Sequence, residues 1–310
     1  MCQYCCLRHS PSSSCHATSG TSWLCPTTGK IVMSGYFSGL LIIFCFNLIG
    51  ASAAYLSLLA GQLTLATAAF MGVGAYATAY MCNTWNLPVA ADILAGGLAA
   101  TALGALASFL TLRVRGIYFA LSTFALGEII PAVFLDMDSV GGASGYPLPA
   151  YISPAVVYAA SAAVLAVIVY LGCTRFTLYL TAIRTDPLVT SLMGVPTRGL
   201  SIVAFIMGAA IAGLGGGLYA ASYSFVEAQH FSIMLSIYYV LMVLLGGIET
   251  PFAPVIGAAA FTFLPEIFRA SEQWRYAIFA AVLIACMRLR PDGVLTAHLL
   301  SRLTRRGAQS

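Results

Sequence analysis

From Tyr36 onward the sequence is a succession of apolar runs, most of them close to 20 residues long and nearly free of charge, separated by short segments that carry the arginines. A run of about 20 such residues is the length of helix that crosses the hydrocarbon core of a bilayer. Only 8% of the 310 residues are charged and 60% are hydrophobic, against about 25% charged in soluble domains. Helices buried in a soluble core do not come as serial uncharged runs of this length, so that class is excluded. The formal net charge of +4 then reports orientation and not affinity for nucleic acid, because most basic residues lie between the runs. The expected fold class is all-α, a polytopic integral membrane protein with about nine transmembrane helices, in a range of roughly eight to ten.

The nine runs are Tyr36 to Ala60, Gln62 to Cys82, Pro88 to Leu112, Gly116 to Leu135, Ser153 to Cys173, Leu200 to Ala221, Ser232 to Leu245, Phe252 to Phe268 and Arg275 to Leu289. The seventh and eighth are short. Gly246, Gly247, Pro251 and Pro254 between them suit a non-helical turn held inside protein, so this pair is expected to be tilted, broken or only partly spanning. If all nine cross, Arg113, Arg115, Arg175, Arg184, Arg198, Arg288, Arg290, Arg302, Arg305 and Arg306 share one side, and only Arg269 and Arg275 lie near membrane ends on the other. The arginine-rich side is the cytoplasmic one. The N-terminus is then outside and the C-terminus inside.

Residues 1–30 differ from the rest. They hold Cys2, Cys5, Cys6, Cys15 and Cys25, His9 and His16, and many serines and threonines. Their spacing is not a zinc-ligand pattern, and no uninterrupted apolar stretch of a signal peptide precedes Lys30. A disordered tail is expected, with Met33 as a candidate initiator. Cys45, Cys82, Cys173 and Cys286 lie singly in or at the ends of apolar runs and read as packing residues. Gly29-Lys30 lacks the upstream glycine and the following hydroxyl of a phosphate-binding loop. No ATPase motif is present, and no metal site or cofactor is expected. The domain reading is a tail at 1–30, a membrane domain at 31–290 with a cytoplasmic loop at 175–200, and a basic cytoplasmic tail at 291–310.

Three groups of residues are candidates for function. Glu128 is the acidic residue well inside a run, where a charge costs about 2.5–3.5 kcal/mol at a helix centre and so faces a cavity or a partner. Pro131 three residues on cannot complete the backbone ladder, which suggests a kinked helix beside a polar path carrying Ser122 and Thr123 as well. The equal alternative is a carboxylate that reaches interfacial water or an arginine near the outer end. The loop Asp136 to Pro149 follows, with Gly141 and Gly142 expected to offer amide donors, or to be a plain surface connection.

The third group lies between the fifth and sixth runs. Asp186 before Pro187 is an N-cap followed by a first-turn proline, so a short helix is expected from about Pro187 to Met193, ending at Gly194. A short amphipathic helix on a membrane loop is a device for entering a groove on a soluble partner. The run after it repeats Gly208, Ala212, Gly216 and Ala220 at four-residue intervals, one helix face on which another backbone can approach closely.

Several stretches together resemble the permease subunits of ATP-driven importers for branched-chain amino acids, the LivM type. GQLTLATAAFMGVGAY (Gly61 to Tyr76), RVRGIYFALSTFALGEII (Arg113 to Ile130), SVGGASG (Ser139 to Gly145), VLLGGIETPFAPVIGAA (Val243 to Ala259) and Arg290 to Gly293 are similar to that family's segments and occur in its order. The resemblance implies a multi-pass subunit of a bacterial plasma (inner) membrane that forms half of a pore beside a second, homologous permease. It implies two cytoplasmic ATPase subunits that bind the ATP, and an external solute-binding protein that delivers the solute. It makes the segment at Arg184, Asp186, Pro187, Met193 and Gly194 the coupling loop to the ATPase.

The sequence departs from the family in three ways. Its coupling loop matches at Arg184, Met193 and Gly194 but lacks the usual glutamates and alanine pair. Residues 1–30 do not supply the extra helix that usually precedes the first run, and Thr67 stands where a histidine is frequent. Leucine, isoleucine or valine is the expected cargo, with urea, short amides, other amino acids, or a monosaccharide or nucleoside as alternatives. From other classes, an ion-driven secondary transporter would use Glu128 as its coupling carboxylate, and a structural subunit would transport nothing.

Overall fold

The computed structural model describes residues 26–85, 88–111 and 116–267, with single positions 280, 284 and 288. Residues 1–25, the run Arg275 to Leu289, the tail 291–310, and Arg113, Arg115, Arg269 and Arg275 lie outside the described residues. The chain divides into two units, Met1–Phe37 and Ser38–Ser310. In the first, the rings of Tyr36 and Phe37 meet edge to face at 6.0 Å.

Ten α-helices follow one another among the described residues: α1 (Pro26–Leu59), α2 (Thr67–Trp85), α3 (Val89–Thr111), α4 (Ile117–Asp136), α5 (Pro154–Gly172), α6 (Arg175–Thr185), α7 (Pro187–Leu192), α8 (Thr197–Tyr223), α9 (Ile233–Gly246) and α10 (Ala253–Ile267). The sheet content is one two-residue antiparallel pair, β1 (Tyr146–Pro147) with β2 (Phe225–Val226), which ties the loop after α4 to the end of α8. Helix α1 begins at Pro26, so it reaches into the stretch expected to be an unstructured tail.

Five described helices are long and apolar enough to cross a membrane: Tyr36–Leu59 of α1, Val89–Leu110 of α3, and α4, α5 and α8. Helix α2 is as long as α5 but richer in glycine and threonine, and its residues Thr67 to Tyr76 are all buried. Wrapped by protein, it has no need of a lipid-compatible surface. Helix α9 has 14 residues and α10 has 15, lengths of roughly 21–23 Å against a hydrocarbon core of about 30 Å. They lie against each other through glycine. A Cβ on Gly246 would run into the Ala253 carbonyl, and one on Gly257 into that of Met242.

The second expected span is corrected at its start. Gln62 to Ala66 is irregular backbone, and helix begins only at Thr67. Its amides are satisfied from neighbouring elements: Leu65 N donates to Thr123 Oγ1 of α4 at 3.2 Å, and Ala68 N to Ser236 Oγ of α9 at 2.9 Å. Irregular backbone is tolerated at such depth only when protein supplies those acceptors.

Helix α8 is the hub of the bundle, against α2 on one side and α3 on another. Glycines on it meet three different neighbours, α1, α2 and α3. A Cβ on Gly208 would come 2.8 Å from the Ala53 carbonyl of α1, on Gly215 2.6 Å from Ile49 of α1, on Gly216 into the Met71 carbonyl of α2, and on Gly213 into Ala100 of α3. Ala212 and Ala220 are fully buried. The small-residue face expected from the sequence is therefore used inside this chain.

Candidate functional site

The arginine-bearing segment between α5 and α8 is two helices set end to end, where the sequence suggested one. Helix α6 is the addition. Phe176, Leu180 and Ile183 recur at four- and three-residue spacing, and Leu180 and Ile183 are buried on the bundle side. That periodicity was present in the sequence and is short enough to be overlooked beside the polar residues around it.

At Asp186 the chain leaves the helical region (φ −149°, ψ 101°) and starts again. The carboxylate Oδ1 accepts from Leu188 N at 2.9 Å and from Val189 N at 3.1 Å, so two of the first-turn amides of α7 are satisfied by one side chain. Pro187 fills the first helical position, where no amide donor is needed. Thr190 Oγ1 donates to the Asp186 carbonyl at 2.7 Å and is buried. At the other end Gly194 sits at φ 81° with open space where a Cβ would be, the left-handed stop that glycine adopts without strain. Six residues held by a cap at one end and a glycine at the other make a rigid single piece.

What this piece exposes decides its chemistry. Leu192 is 80% and Met193 79% exposed, and Leu188 and Val189 are exposed beside them. Four apolar side chains are thus exposed together on α7 and its C-cap Met193. Helix α7 rests on α6 and α8. Arg184, at the end of α6, lies across the turn between α1 and α2: a Cβ on Gly61 (φ 74°) would be 3.2 Å from Arg184 Cα. Between these elements is a cavity of about 420 Å³ lined by Gln62, Gly116, Ile117, Arg184, Pro187, Arg198 and others.

The residues suggested for a solute path are not brought together. Glu128 is exposed on the outward side of α4 in line with Leu121, Phe124 and Ile129. Thr123 is fully buried, its hydroxyl occupied by the Leu65 amide and the Phe119 and Ala120 carbonyls. Ser122 donates back to the Tyr118 carbonyl at 2.8 Å. The expectation that Gly141 and Gly142 present free amides is corrected: Gly141 N donates to the Asp138 carbonyl and Gly142 N to the Met137 carbonyl, both at 3.2 Å. Their positive φ values, 88° and 49°, serve a tight turn that folds the loop onto itself.

Two features escaped the sequence. The deeply buried carboxylate is Asp92 in the first turn of α3, 0% exposed, with neither oxygen hydrogen-bonded among the described residues; the positive end of the α3 dipole lies beside it. At the same end of the bundle, where Gly217 of α8 packs on Ile93, His230 stacks on Tyr219 with ring centroids 4.8 Å apart, and Phe231 and Phe46 pack edge-on to the same tyrosine. His230 keeps an exposed edge, and partial desolvation of its ring lowers the pKa from its ordinary value, with Glu227 opposing.

Residues 36–287 match the family described as the permease component of the branched-chain amino acid transport system. The chain is similar to the high-affinity branched-chain amino acid transport system permease protein LivM of Escherichia coli strain K12, with 27% identity over 273 residues, 76% of this chain and 64% of that protein. It is 26% identical over 273 residues, with the same coverage, to the LivM permease protein of Salmonella typhimurium. The chain thus spans 64% of the length of these curated relatives. No solved structure matches it.

Proposed function

Because this chain belongs to the family of branched-chain amino acid transport permease components, we propose that it is a membrane-spanning half of the pore of an ATP-driven importer, carrying leucine, isoleucine or valine across a bacterial inner membrane. It binds no ATP itself. Two ATPase subunits on the arginine-rich side do the hydrolysis, a second permease completes the pore, and an external binding protein supplies the solute. The observation that carries this reading is α7: a capped, glycine-terminated helix of six residues whose exposed side chains Leu188, Val189, Leu192 and Met193 are apolar. That surface suits a groove in a soluble partner.

In this reading α7 is the point at which a moving ATPase pushes on the membrane domain. Asp186 and Gly194 keep α7 from fraying under load. The push passes to α8, which starts five residues after Leu192 and runs between α2 and α3. Since α8 meets its neighbours backbone to backbone at Gly208, Gly213 and Gly216, it has little room to shift alone, and the bundle tilts as a body. Glu128, on the outward side of α4, would then face the second permease across the path, where a carboxylate pairs with the α-ammonium group of an amino acid.

The test is uptake into proteoliposomes of the full complex with labelled leucine. Accumulation that requires both the ATPase subunits and ATP, and that is competed by isoleucine and valine, is expected. Uptake that proceeds without the ATPase on an ion gradient would overturn the assignment, and competition by urea or a monosaccharide in place of valine would move the cargo to that class.

A further inference from the structure

We infer that the cavity at the base of α7 is a binding site for the phosphate of an anionic phospholipid on the arginine-rich side of the membrane. The cavity holds about 420 Å³ and counts two arginines, Arg184 and Arg198, among its lining residues, with no Asp or Glu in that lining. Two helices also begin there, α4 at Gly116 and Ile117 and α8 at Thr197 and Arg198. The N-caps Gly116 and Pro196 make no side-chain cap hydrogen bond. Both helix starts leave amide donors and partial positive charge at the cavity wall. Planar guanidinium forks and uncapped helix amides are the donor set that phosphate oxygens fit.

The surroundings favour a lipid over a free anion. The cavity opens where exposed apolar residues gather: Ile117 is in its lining and 73% exposed, and Tyr118 and Leu121 continue the same exposed side of α4. Acyl chains can lie along that side while the headgroup turns inward. Basic pockets between helices on the cytoplasmic leaflet are the usual place for such headgroups. Pro187, the first residue of α7, is part of the same wall. The lipid therefore braces the coupling helix from beneath, and the composition of the leaflet sets how firmly α7 is held. The inference is independent of which solute is carried.

The experiment compares the assembled transporter in nanodiscs of phosphatidylcholine alone and of phosphatidylcholine mixed with phosphatidylglycerol, reading the lipid retained on this subunit by native mass spectrometry. Preferential retention of phosphatidylglycerol is expected, reduced roughly fivefold by Arg198→Gln and further by adding Arg184→Gln, with no change on Arg175→Gln, which lies outside the cavity lining. Arg198 is exposed, so its single variant keeps the test valid if the double variant does not fold. Equal retention in wild type and Arg198→Gln overturns the site. Displacement of the lipid by inorganic phosphate at matched concentration shows a free-anion site instead. If the preference appears in the isolated permease but vanishes on adding the ATPase subunits, an acidic side chain of that partner is the occupant, and the lipid assignment fails.

Discussion

Asp186 and Gly194 show how much one side chain can fix when its work is local. A carboxylate two and three residues from the amides it accepts, and a glycine at φ 81°, were both legible in the string because cap chemistry depends only on near neighbours. Asp186→Ala should cost the loop about 1 kcal/mol of helix stability, and Gly194→Val should strain the left-handed stop by about 1–3 kcal/mol. Both variants are expected to reach the membrane normally and to hydrolyse ATP with reduced uptake per ATP consumed, measured in proteoliposomes; unchanged stoichiometry would remove these residues from coupling. Thr123 and Ser236 were illegible for the opposite reason. Their partners, Leu65 and Ala68, lie 58 and 168 positions away, and no local rule points from a hydroxyl to a distant amide. His230 adds a pH dependence. Its pKa is lowered by partial desolvation in the fold, so as pH falls below about 6.5 the unfolded chain takes up the proton first and the folded state loses stability. Thermal unfolding of the wild type should therefore shift downward between about pH 7.5 and 5.5, and His230→Phe, which can keep the stacking on Tyr219, should flatten that shift.

At the scale of elements, spans were read by length and charge, and those criteria found α3, α4, α5 and α8 to within a few residues and the end of α1, whose start at Pro26 they missed by ten. They located α2 too but placed its start at Gln62, because five uncharged residues of irregular backbone next to a helix look like more helix to a hydropathy scan. They passed over α6, whose buried stripe is only three residues long. The four-residue spacing of Gly208, Ala212, Gly216 and Ala220 gave the face but not its partner, which a single sequence does not contain. The contact is with α1 and α2 of the same chain. Gly216→Leu should accordingly destabilise the isolated subunit in detergent by about 1–3 kcal/mol or more through overpacking against the Met71 carbonyl. A subunit that stays stable yet fails to join a second permease would place the face between subunits instead.

At the largest scale, the described residues of Ser38–Ser310 form a bundle centred on α8, with α7 at one end and a turn-rich loop clipped by β1 and β2 at the other. Helix α7 exposes hydrophobic side chains, the bundle is glycine-packed where it must transmit displacement, and Glu128 projects from its outer side. Family membership and α7 meet in one claim, that an engine outside this chain drives it through Leu188, Val189, Leu192 and Met193. The most direct measurement is the ratio of labelled leucine accumulated to ATP hydrolysed in proteoliposomes containing the double variant Leu192→Asp, Met193→Asp, set against the wild type at equal membrane content. The account predicts a normally inserted subunit that no longer retains the ATPase and accumulates no leucine. Uptake at the wild-type ratio would contradict it.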